Sequence, residues 1–217
     1  MKRKTIGIIG LGRFGGTLAK QVAALGHEVC GIDIEEKVVQ KYTPFLTHSL
    51  IADFSDEDTI RSLHLQEFDV VVIAIGDDLK AKLLSAMVLK ELKAPYVVAK
   101  ASSHMESKLL ERVGVDLVIF PEMNMADRLA QMLTREYIVD YFQLSQDIGL
   151  VEMNTPQFMV GHSLLELGLR SRYGVNVVAI KRQKEVLAPP DPKEPLSEED
   201  MLILIGRNED ITKVSQL

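Results

Sequence analysis

Short apolar runs alternate with helix-like spacing through the first 135 residues of the chain. Runs at residues 5–9, 28–32, 48–52, 70–75, 96–100 and 117–120 have the length and β-branched content of strands. Between them, residues 17–25, 56–63, 79–92 and 103–113 carry the apolar periodicity of helices, several with Asp or Ser near their starts. Pro121 suits the first turn of a further helix reaching about residue 134. Six strands separated by helices predict a doubly wound parallel sheet with crossover helices.

After Arg135 the pattern changes. Residues 141–144, 150–153, 175–181 and 201–205 read as short strands, with a helix at 164–170. The expected fold is therefore α/β: a Rossmann-like lobe over residues 1–135, then a small α+β lobe over 136–217. Residues 188–195 contain half of the eight prolines and form a stiff extended loop, whose simplest role is a rigid hairpin connection.

Composition narrows the function. With 47% hydrophobic and 26% charged residues, the chain has the balance of an ordinary globular protein. A net charge of -6 without any basic stretch argues against nucleic-acid binding, which needs cationic surface, and against a redox-sensing transcription factor with a basic recognition helix. The longest apolar run, 70–75, is far short of the roughly 20 residues of a spanning helix. Lys2-Arg3-Lys4 leads directly into the first strand without a signal-peptide apolar region, so a cytoplasmic protein is expected. The single cysteine, Cys30, lies in the second strand and reads as a buried structural thiol.

The strongest chemical signal lies between the first strand and the first helix. Gly10-Leu11-Gly12-Arg13-Phe14-Gly15 is a GxGxxG dinucleotide fingerprint in the strand-turn-helix setting that gives it meaning, and Asp33 closes the next strand. Gly10 permits the tight turn, Gly12 lets backbone approach a pyrophosphate, and Gly15 lets helix pack on strand. Asp33 would accept hydrogen bonds from a ribose diol. Arg13 can swing over the phosphates to pair with a charge beyond the pyrophosphate, which puts adenosine di- or triphosphate beside a nicotinamide dinucleotide; the alternative is a solvated loop arginine.

These residues resemble a known family: the cytoplasmic RCK (regulator of potassium conductance) subunits of bacterial Ktr/Trk potassium uptake systems, most closely the single-repeat KtrA/KtrC type. The resemblance runs through residues 10–16, 26–29, Asp33, 71–76 and 120–122 for the first lobe. For the second it runs through 161–164, 173–175, 178–180 and 202–206. It implies that the first lobe binds ATP or ADP, with NAD(H) in some relatives, and that Arg13 senses the terminal phosphate. Asp53 and Phe54 fall where the family borders the adenine, although Asp53 also reads as a strand-end carboxylate starting a turn. Lys100, at a strand carboxyl end, is a phosphate neighbour or a solvated lysine. Glu122 complements the dipole of its helix on bare physics; the resemblance adds a role in holding Mg²⁺ or Ca²⁺ near the phosphates.

The helical stripe Met125, Leu129, Met132, Leu133, with Met123, is ordinarily core, whereas the family uses it between lobes and in a dimer, dimers forming an octameric ring. In the second lobe the resemblance implies cyclic di-AMP between two C-terminal lobes. Arg170 would meet a phosphate, Asn176 an adenine edge, and Leu165, Val177, Val178 and Pro192 would form walls. Their plain alternatives are core positions for Leu165, Val177 and Val178 and a surface ion pair for Arg170. The expected function is a non-enzymatic, ligand-gated subunit acting on a membrane potassium-translocating partner. The competing reading, a small NAD-dependent oxidoreductase, lacks an acid/base constellation: His27, His48, His64, His104 and His162 are scattered and no Tyr-x-x-x-Lys pair accompanies them.

Overall fold

The structure, a computed structural model, describes residues 2–216. The chain divides into two compact units, one ending at Met123 and one beginning at Asn124. The first contains β1 (Thr5–Ile9), α1 (Arg13–Ala24), β2 (Glu28–Asp33), α2 (Glu36–Tyr42), β3 (His48–Ile51), α3 (Glu57–Ser62), β4 (Val70–Ile73), α4 (Leu79–Glu91), β5 (Val97–Lys100), α5 (His104–Val113) and β6 (Leu117–Ile119). Its six strands are parallel in the order β3-β2-β1-β4-β5-β6. Both faces of the sheet are covered. Ile6 and Ile8 of β1 pack with Val29, Val39 and Tyr42 on one side, while Ile9 packs with Ile73, Leu89 and Val97 on the other. Burial on both faces is why β1, β2, β4 and β5 read as mostly apolar runs rather than alternating ones.

Asp56, Asp78 and Ser103 start α3, α4 and α5 by accepting hydrogen bonds from the backbone amides three residues on. Helix α1 begins at Arg13, four residues before the start expected from apolar spacing, so the last three fingerprint residues are helical. Residues 13–16 include two glycines and give no periodic signal. The charge-rich helix α2 likewise carries no apolar periodicity. Cys30 is buried, and desolvation pushes its thiol up to about 11, as suits an inert structural residue.

Helix α6 (Pro121–Thr134) begins in the first unit and continues into the second. It buries none of its residues, and Met125, Leu129 and Leu133 of its apolar stripe are exposed, contrary to an ordinary core role. The second unit continues with β7 (Ile138–Gln143), β8 (Ile148–Asn154), α7 (Leu164–Leu167), α8 (Leu169–Tyr173), β9 (Asn176–Arg182), β10 (Glu185–Leu187), β11 (Asp200–Arg207) and α9 (Asn208–Ser215). Its antiparallel sheet has the order β10-β9-β11-β8-β7. The single helix expected over 164–170 is two helices, because Gly168 adopts φ +57° and closes the first. The short hairpin partner β10 and the polar-faced α9 are two further elements that the apolar pattern does not predict.

The proline-rich segment connects β10 to β11 and is held down by backbone bonds. Leu165 N–H donates to the Pro192 carbonyl at 2.9 Å, and Leu196 N–H donates to the His162 carbonyl at 3.0 Å. Below it, Arg182 donates two bonds to the fully buried Asp200 carboxylate, at 2.8 and 2.9 Å, and also pairs with Glu194. Ser197 N–H donates to the same carboxylate. The Arg182 bonds hold Asp200 below its ordinary value against the opposing effect of burial. A depressed folded-state pKa gives stability that is present above the ordinary carboxylate value near 4 and lost as pH falls through the folded one. Asp200→Asn is therefore expected to cost about 2–3 kcal/mol at pH 7 and much less in acid, read by urea unfolding at pH 7 and pH 3. An equal cost at both pH values would mean that the carboxylate charge contributes nothing.

Candidate functional site

The sheet order reverses between β1 and β4, and the helices that follow them, α1 and α4, pack on opposite faces, leaving a crevice at the strand carboxyl ends, the place where open parallel sheets take ligands. A cavity of about 430 Å³ occupies it. Gly10, Gly12, Arg13, Phe14, Asp33, Asp53, Phe54, Lys100 and Glu122, nine of the ten candidates in the first lobe, line this one volume. The tenth, Gly15, does not. It sits where α1 crosses β1, and a Cβ there would stand 1.9 Å from the Gly10 carbonyl oxygen.

Gly10 has φ +90°, a conformation open to glycine, and turns the chain so that α1 points its amino end at the cavity. The helix cap, Gly12, offers no side chain to the first-turn amides, and a Cβ on it would meet no atom within 4 Å. Unclaimed N–H groups facing open space at a helix start favour an anion. Asp33 braces this turn: its Oδ2 accepts from Leu11 N–H at 2.7 Å and its Oδ1 from Glu35 N–H at 2.9 Å. Each carboxylate oxygen keeps a second acceptor site, so Asp33 can hold the loop and a ribose hydroxyl together.

The cavity wall is rich in carboxylates, but most are engaged locally. Asp53 Oδ1 accepts from Ser55 N–H at 2.8 Å, the turn-starting role allowed by its strand-end position, and that bond lowers its pKa. Asp78 caps α4 through Ala81 N–H at 2.9 Å. Lys100, only 14% exposed, reaches Glu122 at 2.5 Å, and this bond, with the Arg13 charge adding to it, holds Glu122 below its ordinary value. Arg13 is exposed at the cavity edge and makes no ion pair among the described residues. Ile34, Ala74, Gly76, Asp77 and Ala81 also line the cavity and escaped the sequence reading. Their signal was their place just beyond the strand ends or in the first turn of α4.

Among the described residues, no group of three or more His, Cys, Asp or Glu side chains could hold a metal ion. Glu122 is largely exposed with one oxygen on Lys100, so it can supply one further oxygen to a hard cation. The donor chemistry fits Mg²⁺ or Ca²⁺ when phosphate oxygens and water complete the shell.

In the second unit, Leu165, Arg170, Asn176, Val177 and Pro192 line a separate cavity of about 670 Å³ with Leu164, Gly168, Leu169, Ser171 and Val175. Val178 does not: it is the extra residue where the register of β9 against β11 shifts, and its side chain is exposed outside the cavity. Leu165 and Val178 are exposed rather than core, and Val177 is half-buried against the core. Arg170 has no carboxylate partner among the described residues, so the surface ion pair allowed for it does not form.

Residues 6–121 match the TrkA-N domain model and residues 150–217 the TrkA-C domain model. The chain is 39% identical to Ktr system potassium uptake protein C of Bacillus subtilis (strain 168), covering 97% of this chain and 96% of that protein. It is 35% identical to Ktr system potassium uptake protein A of the same organism, covering 98% and 96%. The crystal structure of the GsuK RCK domain superposes with a TM-score of 0.68 at 16% identity, covering all of this chain and 48% of that one, which shows a shared fold. The two Bacillus subtilis relatives carry the names of potassium uptake proteins rather than of oxidoreductases, which sets aside the small oxidoreductase. Two lobes of this order and fold, matched over nearly their whole length, place the chain in the Ktr/Trk family of potassium uptake proteins.

Proposed function

We propose that this chain is the nucleotide-responsive regulatory subunit of a Ktr/Trk potassium uptake system, docked on the cytoplasmic side of a potassium-translocating membrane subunit. The observation that carries this reading is the joining of the fingerprint and Asp33 with Arg13, Lys100 and Glu122 on one cavity. A dinucleotide site needs only the first two. Two cations and an exposed carboxylate on the same wall suit a terminal phosphate and its Mg²⁺ or Ca²⁺, so ATP and ADP are the effectors, with NAD(H) admitted by the same pyrophosphate turn. No described helix is long and apolar enough to cross a membrane; in this reading ion movement is the work of the partner. The nucleotide acts by binding one conformation of the subunit better than another.

The cavity of the second lobe takes cyclic di-AMP, with Arg170 on a phosphate, Asn176 on an adenine edge, and Leu165, Val177 and Pro192 as walls. The unburied stripe on α6 is the surface through which copies pair, and pairs assemble into a ring, an octamer by family resemblance. The functional division is residues 1–135 for nucleotide sensing and 136–217 for the second messenger.

Calorimetric titration of the purified chain with ATP, ADP, NADH and cyclic di-AMP, with and without Mg²⁺ or Ca²⁺, tests this directly. Adenine nucleotides and cyclic di-AMP are expected to bind without competing. Arg170→Ala is expected to weaken cyclic di-AMP about 10- to 100-fold, the loss of a charge-assisted bond, and to leave ADP unchanged. Heat from neither class of ligand at millimolar concentration would end the reading.

A further inference from the structure

A lysine is rarely buried, yet Lys82 in the first turns of α4 is fully enclosed in the first unit. Its Nζ pairs with Oε1 of Glu106 on α5, which is itself 6% exposed. The other oxygen of Glu106 accepts two bonds from one residue, Ser102 N–H at 2.7 Å and Ser102 Oγ–H at 2.6 Å. Burial pushes Glu106 upward, but the bonds from Lys82 and Ser102 outweigh it, so the carboxylate stays charged. The fold alone does not require this arrangement, because an ion pair of this kind is often replaceable by apolar side chains at no loss of stability.

What the pair joins is specific. Lys82 follows Asp77, Asp78 and Ala81, which form one wall of the strand-end cavity, and Ser102 follows Lys100, which forms another. Ala101 N–H donates to the Ile119 carbonyl at 2.9 Å, and Ser103 caps α5. The segment between Lys100 and α5 is thus pinned at every residue, with Ser102 held by Glu106 alone among side chains. We infer that Glu106 is a positioning residue of the nucleotide site: buried on α5 and balanced in charge by Lys82 of α4, its carboxylate holds Ser102 and so fixes where Lys100 stands. This rests on the nucleotide reading of the cavity. The carboxylate has two jobs, balancing Lys82 and accepting from Ser102, and only the second bears on the ligand.

That separation gives the test, made on the full chain. Lys82→Met with Glu106→Met removes the charges and the acceptor, whereas Lys82→Met with Glu106→Gln removes the charges but keeps an amide oxygen for Ser102. The Met/Met chain is expected to match or exceed wild-type resistance to urea yet bind ADP about tenfold or more weakly. The Met/Gln chain, which buries an unpaired amide N–H, is expected to be less stable and to bind ADP within about threefold of wild type. Binding would then run opposite to stability, which a purely structural pair cannot produce. Hydrogen exchange without ligand gives a second readout: Ser102 amide protection falls at least about tenfold in Met/Met and persists in Met/Gln. Ser102→Ala, which spares the buried pair, is expected to weaken ADP a few-fold and covers the case in which Met/Met does not fold. Wild-type ADP affinity and Ser102 protection in Met/Met, or a Ser102→Ala chain that binds like wild type, would overturn the clamp. Absence of ADP binding by the wild type would instead overturn the nucleotide reading, with the exchange data still deciding whether Ser102 is held by Glu106.

Discussion

Gly15→Ala should destabilise the first unit by about 3 kcal/mol or more, toward the upper end of what overpacking costs. The added Cβ would lie 1.9 Å from the Gly10 carbonyl oxygen and 2.9 Å from the Ala74 Cβ. Neither can swing away. Gly10 N–H is bonded to the Ile32 carbonyl at 2.7 Å, and Ala74 N–H to the Ile9 carbonyl at 2.7 Å, so both belong to the frame of the sheet. Relief requires α1 to lift from β1, which exposes Ile8 and Leu11 beneath the helix and the helix's own buried Ala19. Against a total stability of about 5–15 kcal/mol, a loss of this size is large. Gly12→Ala is the contrast: its Cβ meets nothing within 4 Å, and φ is already -60°, so urea unfolding should shift by only a few tenths of a kcal/mol. The new methyl would stand where the phosphates approach, and ADP affinity should fall instead. A Gly15→Ala chain with the wild-type unfolding midpoint would show that α1 has slack against the sheet.

This pair also shows how much the sequence carried. The GxGxxG spacing identified Gly15 as a packing residue and Gly12 as a ligand-facing one, because the motif states a backbone geometry rather than a composition. The inner strands β1, β2, β4 and β5 were legible for a related reason, since burial on both faces leaves mostly apolar runs. Helix α2, Glu-Lys-Val-Val-Gln-Lys-Tyr, was not, because only Val39 and Tyr42 are buried and seven residues are too few for a periodic signal. The early start of α1 was hidden by the glycines that its packing demands. In the second lobe Gly168 broke a helix that apolar spacing had drawn as continuous, and β10 contributes just three residues.

The cavities were legible only where a residue type announced its chemistry. Arg13, Asp33, Lys100 and Glu122 did so, each being a charged side chain at a helix start or strand end. Ile34, Ala74 and Ala81 did not, because wall residues of a crevice are chosen for shape and their positions follow from topology. The Lys82–Glu106 pair had no signal at all: the two residues are 24 apart in the chain, each resembles an ordinary charge on a helix face, and only folding shows them buried together.

Arg13→Ala should leave ADP binding largely intact and remove most of the preference between ATP and ADP, with discrimination falling about 10- to 100-fold if one charge-assisted bond reaches the terminal phosphate. The ADP site does not lean on Arg13. In the proposed reading the pyrophosphate would face the free amides of α1, and Asp33 keeps acceptor capacity for a ribose. Arg13 instead lines the cavity edge with Lys100 and Glu122, and its charge is felt at Glu122, so it stands among the groups suited to a further phosphate. Arg13→Lys should fall between, since an ammonium keeps the charge but lacks the planar fork that matches two phosphate oxygens. Calorimetry with each nucleotide reads the effect, and an unchanged ratio of ATP to ADP affinities would remove Arg13 from the mechanism. The consequence reaches beyond one site. If each of several identical subunits contributed about 1 kcal/mol of difference between conformations, their sum would approach the roughly 5.5 kcal/mol that moves a gate from 1:99 to 99:1. An assembly carrying Arg13→Ala should therefore still fill with nucleotide and yet lose the difference that ATP and ADP make to potassium flux.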